Sequence, residues 1–306
     1  MNYRFWVVLV SFCLSLGVLK AAEPGPAAEG HAEVLLAELQ QLKAAVTRSL
    51  SAESRPHFVT FWDFDGTIQA GDCSEGWLRD GQWVYHGLAQ RCIEAGHSSV
   101  YTNRHDFDQF WSDYQLMDTR AGHWLAYPYI AQMLRGARST DVEALAEQTF
   151  NEVFRRYYYT SSLSILRGLQ FAGVEIRVLS ASPEAFVRGA AASLGIPPAH
   201  IHGIRTEIRD GRLTERLVYP ITWAEGKTER LQQILQEIKT ARPGAVPIVL
   251  GAFGNSYSTD GPFMAWVARQ VLPGGGKPVV LMINGGEPPP SYRDLFRCVE
   301  QNSYGP

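Results

Sequence analysis

Two aspartates one residue apart, Asp63 and Asp65, end the apolar run FVTFW and are followed at once by Gly66 and Thr67. Carboxylates this close repel, and one pKa rises unless a cation or a shared proton accompanies them. The spacing therefore implies a metal, or an acid beside a base. A solvated Asp-Gly turn is the plain alternative. Three further places carry residues of the same chemistry. Ser180 follows an apolar stretch and precedes a helix start, where a hydroxyl, backbone N–H groups and a helix dipole suit an anion. Lys227 opens a helix, against the sense of the dipole, which an anion nearby would explain and an exposed lysine would not need. Asn255 and Asp260 share one loop, and their oxygens suit a hard cation such as Mg²⁺.

These residues need strands behind them. The run 58–62 is β-branched and aromatic with no Pro or Gly, as in a strand buried on both faces of a parallel sheet. A period of two aims Asp63 and Asp65 the same way, and Gly66 permits the following turn. Further strands are expected at 174–179, 246–250 and 279–283, with helices over 161–171, 184–194, 227–238, 261–270 and 291–300 between and after them. Ligands of open α/β sheets gather beyond the carboxyl ends of the strands, where Asp63, Ser180 and Asn255 all fall. Asp210-Gly211 marks a hairpin within 203–218, read as a small flap. Ahead of the first strand, Leu35, Leu39, Leu42 and Val46 form the stripe of a lead-in helix.

Between 68 and 159 the pattern turns helical, with helices expected over 75–95, 106–117, 122–134 and 141–157. Thr140 and Glu143 form a capping box for the last. A helical segment inserted after the first strand reads as a lid. The division is 1–22 signal peptide, 23–57 linker and lead-in helix, 58–69 and 160–306 α/β core, and 70–159 helical cap. Trp77, Trp83, Trp111 and Trp124 all lie in the cap, mostly as its own core.

The chain has 306 residues and a formal charge of −3, enough length for one large α/β domain and no electrostatic case for nucleic acid. Arg4, the apolar run 5–19 and the small residues Ala21 and Ala22 read as an export signal. An uncleaved anchor is the other reading, although the run is short for a stable membrane span. Export leaves Cys73, Cys92 and Cys298 in an oxidising compartment. Either Cys73 and Cys92 are bridged or the thiols are free and buried.

In order and context these motifs resemble the haloacid-dehalogenase-type phosphohydrolase superfamily: Asp63-Phe64-Asp65-Gly66-Thr67, then Val178-Leu179-Ser180, then Lys227, then the loop from Gly254 to Asp260. The resemblance spans about residues 58–284. It implies a Rossmann-like three-layer core with an inserted helical cap, and a Mg²⁺-dependent phosphatase. By resemblance, Asp63 is the nucleophile that becomes an aspartyl-phosphate, and Asp65 is the general acid/base. Thr67 and Ser180 hold phosphate oxygens and Lys227 neutralises charge. The metal sits on Asp63, the Asp65 backbone carbonyl, Asn255 and Asp260. Asn255 departs from the family, which usually has an acid there, so a weaker metal site is expected.

Within the superfamily the layout looks like the phosphoserine and phosphorylcholine phosphatases. That suggests a small phosphomonoester substrate whose ammonium group meets Asp72 and Glu75, with cation–π help from cap aromatics. The same two acids also suit a solvated first helical turn. Exported relatives suggest a bacterial periplasm, with secretion as the alternative. Two other functions stay open: a binding or scaffold protein with little turnover because of Asn255, and a phosphotransferase. A dehalogenase would not need Asp65 or Mg²⁺.

Overall fold

The computed structural model describes residues 27–305, with side chains from residue 31 onward. The expected signal segment, 1–22, lies outside the described residues. Helix α1 (Ala27–Ser49) leads into strand β1 (Arg55–Trp62). Next come a hairpin of β2 (Gly76–Arg79) and β3 (Gln82–His86) and four helices, α2 (Leu88–Glu94), α3 (Phe107–Ala121), α4 (His123–Gln132) and α5 (Ser139–Glu152). The core resumes with α6 (Thr160–Phe171), β4 (Glu175–Pro183), α7 (Glu184–Arg188), α8 (Ala191–Leu194), β5 (Ile201–Arg209) and β6 (Arg212–Val218). It closes with α9 (Glu225–Ala241), β7 (Ala245–Gly254), α10 (Gly261–Ala268), β8 (Val279–Ile283) and β9 (Arg297–Val299).

Seven strands form one sheet in the order β6-β5-β4-β1-β7-β8-β9, parallel except for the antiparallel edge strand β6. This is the expected α/β core. Strand β1 lies at the centre because both its faces are apolar. Phe58 and Trp62 pack into the larger core on one face, while Val59 and Phe61 pack with the helices α9 and α10 on the other. Burying a side chain of this size contributes roughly 1.5–3 kcal/mol. The indole of Trp62 stacks on Phe253 of β7 with centroids 3.8 Å apart. From β1 the chain steps to β4 and β5 on one side and to β7 and β8 on the other, so the loops after β1, β4 and β7 converge at a topological switch point.

Several elements differ from expectation. The helix foreseen over 75–95 is instead the β2–β3 hairpin followed by the short α2. Asp80 and Gly81 both adopt positive φ, the requirement of a tight hairpin turn, and this signal outweighed the helical spacing of the apolar residues. The Thr140/Glu143 capping box is absent: α5 begins at Ser139, with Arg138 as an N-cap that makes no side-chain cap bond. The helix over 184–194 is broken at Gly189 into α7 and α8. No helix forms over 291–300, where the chain enters β9 as the far edge of the sheet. The expected flap is the β5–β6 hairpin, which extends the central sheet. No described helix is long and apolar enough to cross a membrane. Cys73 and Cys92 are buried and, like the exposed Cys298, are free thiols.

Candidate active site

The turn after β1 is fixed by its own backbone. The Phe64 carbonyl accepts from the amides of Thr67, Ile68 and Gln69, and Asp63 N–H donates to the Phe253 carbonyl on β7 at 2.8 Å. Gly66 sits at φ +73°, and a Cβ there would lie 1.9 Å from the Asn255 side chain. Glycine thus lets the β1 and β7 loops touch.

Asp63 and Lys227 meet beneath a cleft of about 220 Å³. The Lys227 ammonium donates to Asp63 Oδ1 and to Asp260 Oδ1, both at 2.6 Å, and its side chain is fully buried. Its place depends on the start of α9. Ala224, the N-cap, has φ +47°, and a Cβ on Gly226 would fall 1.7 Å from the Ile221 carbonyl oxygen. Only glycine allows the first turn to pack this close. Burial alone would push the Lys227 pKa down, but the two carboxylates outweigh it and raise the pKa. Burial, then the charge of Asp260, pushes Asp63 up to about 7 against the pull of Lys227. Thr67 Oγ1 donates to the other Asp63 oxygen at 3.1 Å.

Asp65 lines the cleft and is held from two sides. Its Oδ1 accepts from the Cys73 amide at 2.6 Å, and its Oδ2 accepts from Ser182 Oγ at 2.7 Å. Burial, then the charges of Asp72 and Asp63, raises its pKa well above the ordinary aspartate value. The shift favours the protonated carboxyl, the form a general acid needs.

Ser180 lies deeper than expected. It is fully buried, its Oγ accepts from the Ser182 amide at 3.0 Å, and the cleft is lined by Ser182 instead. The cause is an irregularity in the β4–β5 pairing between Leu179 and Pro183. That bulge re-aims the strand end. Asp260 also turns inward: one oxygen takes Lys227, and the other takes the Asn255 and Ser256 amides at 3.0 Å. It holds Lys227 and shapes the loop. Asn255, Asp72 and Glu75 all line the cleft. Asp72 Oδ1 accepts from the amides of Ser74 and Glu75. Burial, then the charge of Asp72, raises Glu75 to about 8, and the Tyr114 hydroxyl donates to it.

For a metal, Asp63, Asp65 and Asn255 line the cleft with oxygen-bearing groups, and the Asp65 carbonyl accepts no hydrogen bond among the described residues. Among those residues no group of three or more His, Cys, Asp or Glu is placed to hold a metal. The donor set fits a hard divalent cation by its oxygens, with a single anionic ligand. Sequence reasoning missed Ser182, which shares a strand face with Ser180 by the period of two. It also missed His123, which no sequence signal marks; Tyr127 is one of the cap aromatics expected near a substrate, and the two reach the cleft from α4 with rings stacked 4.6 Å apart.

No curated protein sequence matches the chain. Among solved structures, a protein of unknown function from Bordetella pertussis Tohama I superposes at TM-score 0.58 with 17% identity, covering 80% of this chain and 98% of that one. Cytosolic 5'-nucleotidase IIIB bound to cytidine superposes at 0.54 with 15% identity, covering 85% and 84%. At these identities the likeness speaks for the fold alone. The family model for haloacid dehalogenase-like hydrolases matches residues 60–264, well over half of the sequence and inclusive of all four motif segments. The chain belongs to the haloacid dehalogenase-like hydrolase family.

Proposed function

We propose that the protein is an exported, Mg²⁺-dependent phosphomonoesterase that works through an aspartyl-phosphate, on a small substrate bearing a cationic group. The observation that carries the reading is Asp63, buried on Lys227, beside Asp65 held by the Cys73 amide and Ser182 Oγ in one cleft. Asp63 attacks phosphorus as the ester P–O bond breaks, and Asp65 gives its proton to the leaving oxygen. Water then attacks phosphorus, Asp65 takes the water's proton, and the bond to Asp63 breaks to release phosphate. Lys227 favours the ionised form of Asp63 and offsets phosphoryl charge. Asp63, Asn255 and the Asp65 carbonyl would hold Mg²⁺, which when bound draws charge from the phosphoryl oxygens.

The substrate class is supported by the lining of the cleft. Asp63, Asp65, Asp72 and Glu75 face it, and among the described residues neither arginine nor lysine does. Burial raises the pKa of Asp72 and Glu75, and an ammonium group beside them favours their ionised forms, pairing its charge with theirs. Tyr127 and His123 supply the apolar faces beside them. Export, to a periplasm or medium, rests on the sequence of residues 1–22.

The test is phosphate release by residues 23–306 from phosphoserine, phosphorylcholine, phosphoethanolamine and an uncharged phosphomonoester, with Mg²⁺ titrated and an EDTA control. The expected result is metal-dependent turnover that prefers an amino-bearing ester and is lost in Asp63→Asn. Activity that survives Asp63→Asn overturns the assignment. The specific observation favouring a second reading, a low-turnover binding protein, is Asn255 with its single anionic companion. Folded protein without turnover at any Mg²⁺ concentration would select it.

A further inference from the structure

A second recess, of about 300 Å³, opens where the helical segment meets the β5–β6 hairpin. It is lined by His97, Ser98, Arg135, Arg138, Asp141 and Arg212, among others, and shares no lining residue with the catalytic cleft. Its walls are backbone-fixed. Gly136 N–H donates to the Leu213 carbonyl at 2.8 Å, Leu213 N–H to Ala137 at 2.9 Å, and Ser139 N–H to Gly211 at 3.0 Å. Arg138 and Arg212 are thereby antiparallel bridge partners. Like charges directly opposite on paired strands destabilise the pairing, and a guanidinium cannot escape by losing its proton.

The charge is not answered from within the protein. Arg212 donates through Nη1 to the Gly136 carbonyl at 2.6 Å, which leaves its positive charge uncompensated. Among the described residues, the side chains of Arg135 and Arg138 have neither a hydrogen-bond nor an ion-pair partner, and Asp141, the one carboxylate lining the recess, pairs with no cation. Both arginines are exposed at the rim. Three guanidiniums gathered in one recess run against a chain whose formal charge is −3. Planar forks of N–H donors match the oxygens of phosphate-type anions.

We propose that this recess binds a small, multiply charged oxyanion of the phosphate class, separately from the catalytic cleft. Because one wall belongs to the segment inserted after β1 and the other to the sheet hairpin, the bound anion braces the seam between them. The site is independent of the hydrolase reading.

The experiment is arginine-selective modification of the full chain by phenylglyoxal, mapped by peptide mass spectrometry, with and without inorganic phosphate at matched ionic strength. Among the described residues no arginine lines the catalytic cleft, so phosphate bound there leaves no footprint on them. Modification of Arg135 and Arg138 is expected to slow about fivefold near a phosphate concentration of four times Kd, while the exposed Arg104 is unchanged. Asp141→Asn, which removes the repelling carboxylate, should bring the same protection at lower phosphate. Arg135→Gln combined with Arg138→Gln should lose the calorimetric heat of this site and keep its unfolding temperature. Equal modification rates with and without phosphate, or equal slowing at Arg104, overturn the proposal.

Discussion

At the scale of single residues, the centre is a buried cation shared by two buried carboxylates. Removing the cation leaves both acids uncompensated, so Lys227→Met is expected to destabilise the fold by about 3–5 kcal/mol, measured by denaturant unfolding. A smaller loss would mean that Asp63 and Asp260 reach solvent in a way their burial does not suggest. Asn255 stands where the sequence resemblance leads one to expect an acid. If the proposed metal site holds, Asn255→Asp adds a carboxylate to it and should tighten Mg²⁺ about tenfold, as seen by calorimetry on the protein without substrate. An unchanged Mg²⁺ affinity would remove Asn255 from the metal set.

Among the elements, the strand ends and the first turn of α9 do the positioning. Ser182 reaches Asp65 because the end of β4 departs from regular pairing with β5. Ser182→Ala should lower kcat about tenfold with little change in KM, since the lost bond orients the acid rather than the substrate. It should also move the basic limb of the pH–rate profile to higher pH, because the lost bond had lowered the Asp65 pKa, and a merely structural residue would not move that limb. At the start of α9, Gly226→Ala places a methyl group against the Ile221 carbonyl. Backbone cannot yield as a side chain can, so α9 shifts and takes Lys227 with it. The expected result is a fall in unfolding temperature together with loss of activity, read by calorimetry and assay on the same preparation.

For the whole molecule, stability carries a pH signature that lies away from the cleft. His202 on β5 is buried among Arg177, Arg205 and Arg230, with ring nitrogens 3.5 Å from Arg177 Nη1 and 3.4 Å from Arg230 Nη2. Burial first, then these cations, lowers its pKa to about 2. The ring is neutral when folded and takes a proton near 6.5 when unfolded, so the unfolded state gains as pH falls below that value. The His202 contribution is thus full above about pH 6.5 and declines below it by ~1.4 kcal/mol per pH unit, while the raised Asp63 and Glu75 act in the opposite sense. His202→Gln should remove this contribution and change the slope between pH 6.5 and 5, measured as unfolding free energy against pH in both proteins. An equal slope in both proteins would assign it to other groups.

The motif residues were legible because their chemistry is local. Asp63, Asp65, Gly66 and Thr67 share one turn, and a short β-branched and aromatic run without Pro or Gly is the pattern of a strand buried on both faces. The order of Ser180, Lys227 and the Asn255–Asp260 loop followed from alternating strand and helix patterns. The segment from 70 to 159 was less legible, because its apolar spacing suits a helix while Asp80-Gly81 suits a hairpin, and only packing decided between them. The sequence also could not say which serine of the pair at 180 and 182 meets Asp65, since a bulge is a property of two paired strands. Nor could it tell that Asp260 faces Lys227 instead of the cleft, or that His123 arrives from another helix. Composition and periodicity determine which residues must be buried and on what element. Which groups then meet is settled by the crossing of distant elements, and only the tertiary structure holds that information.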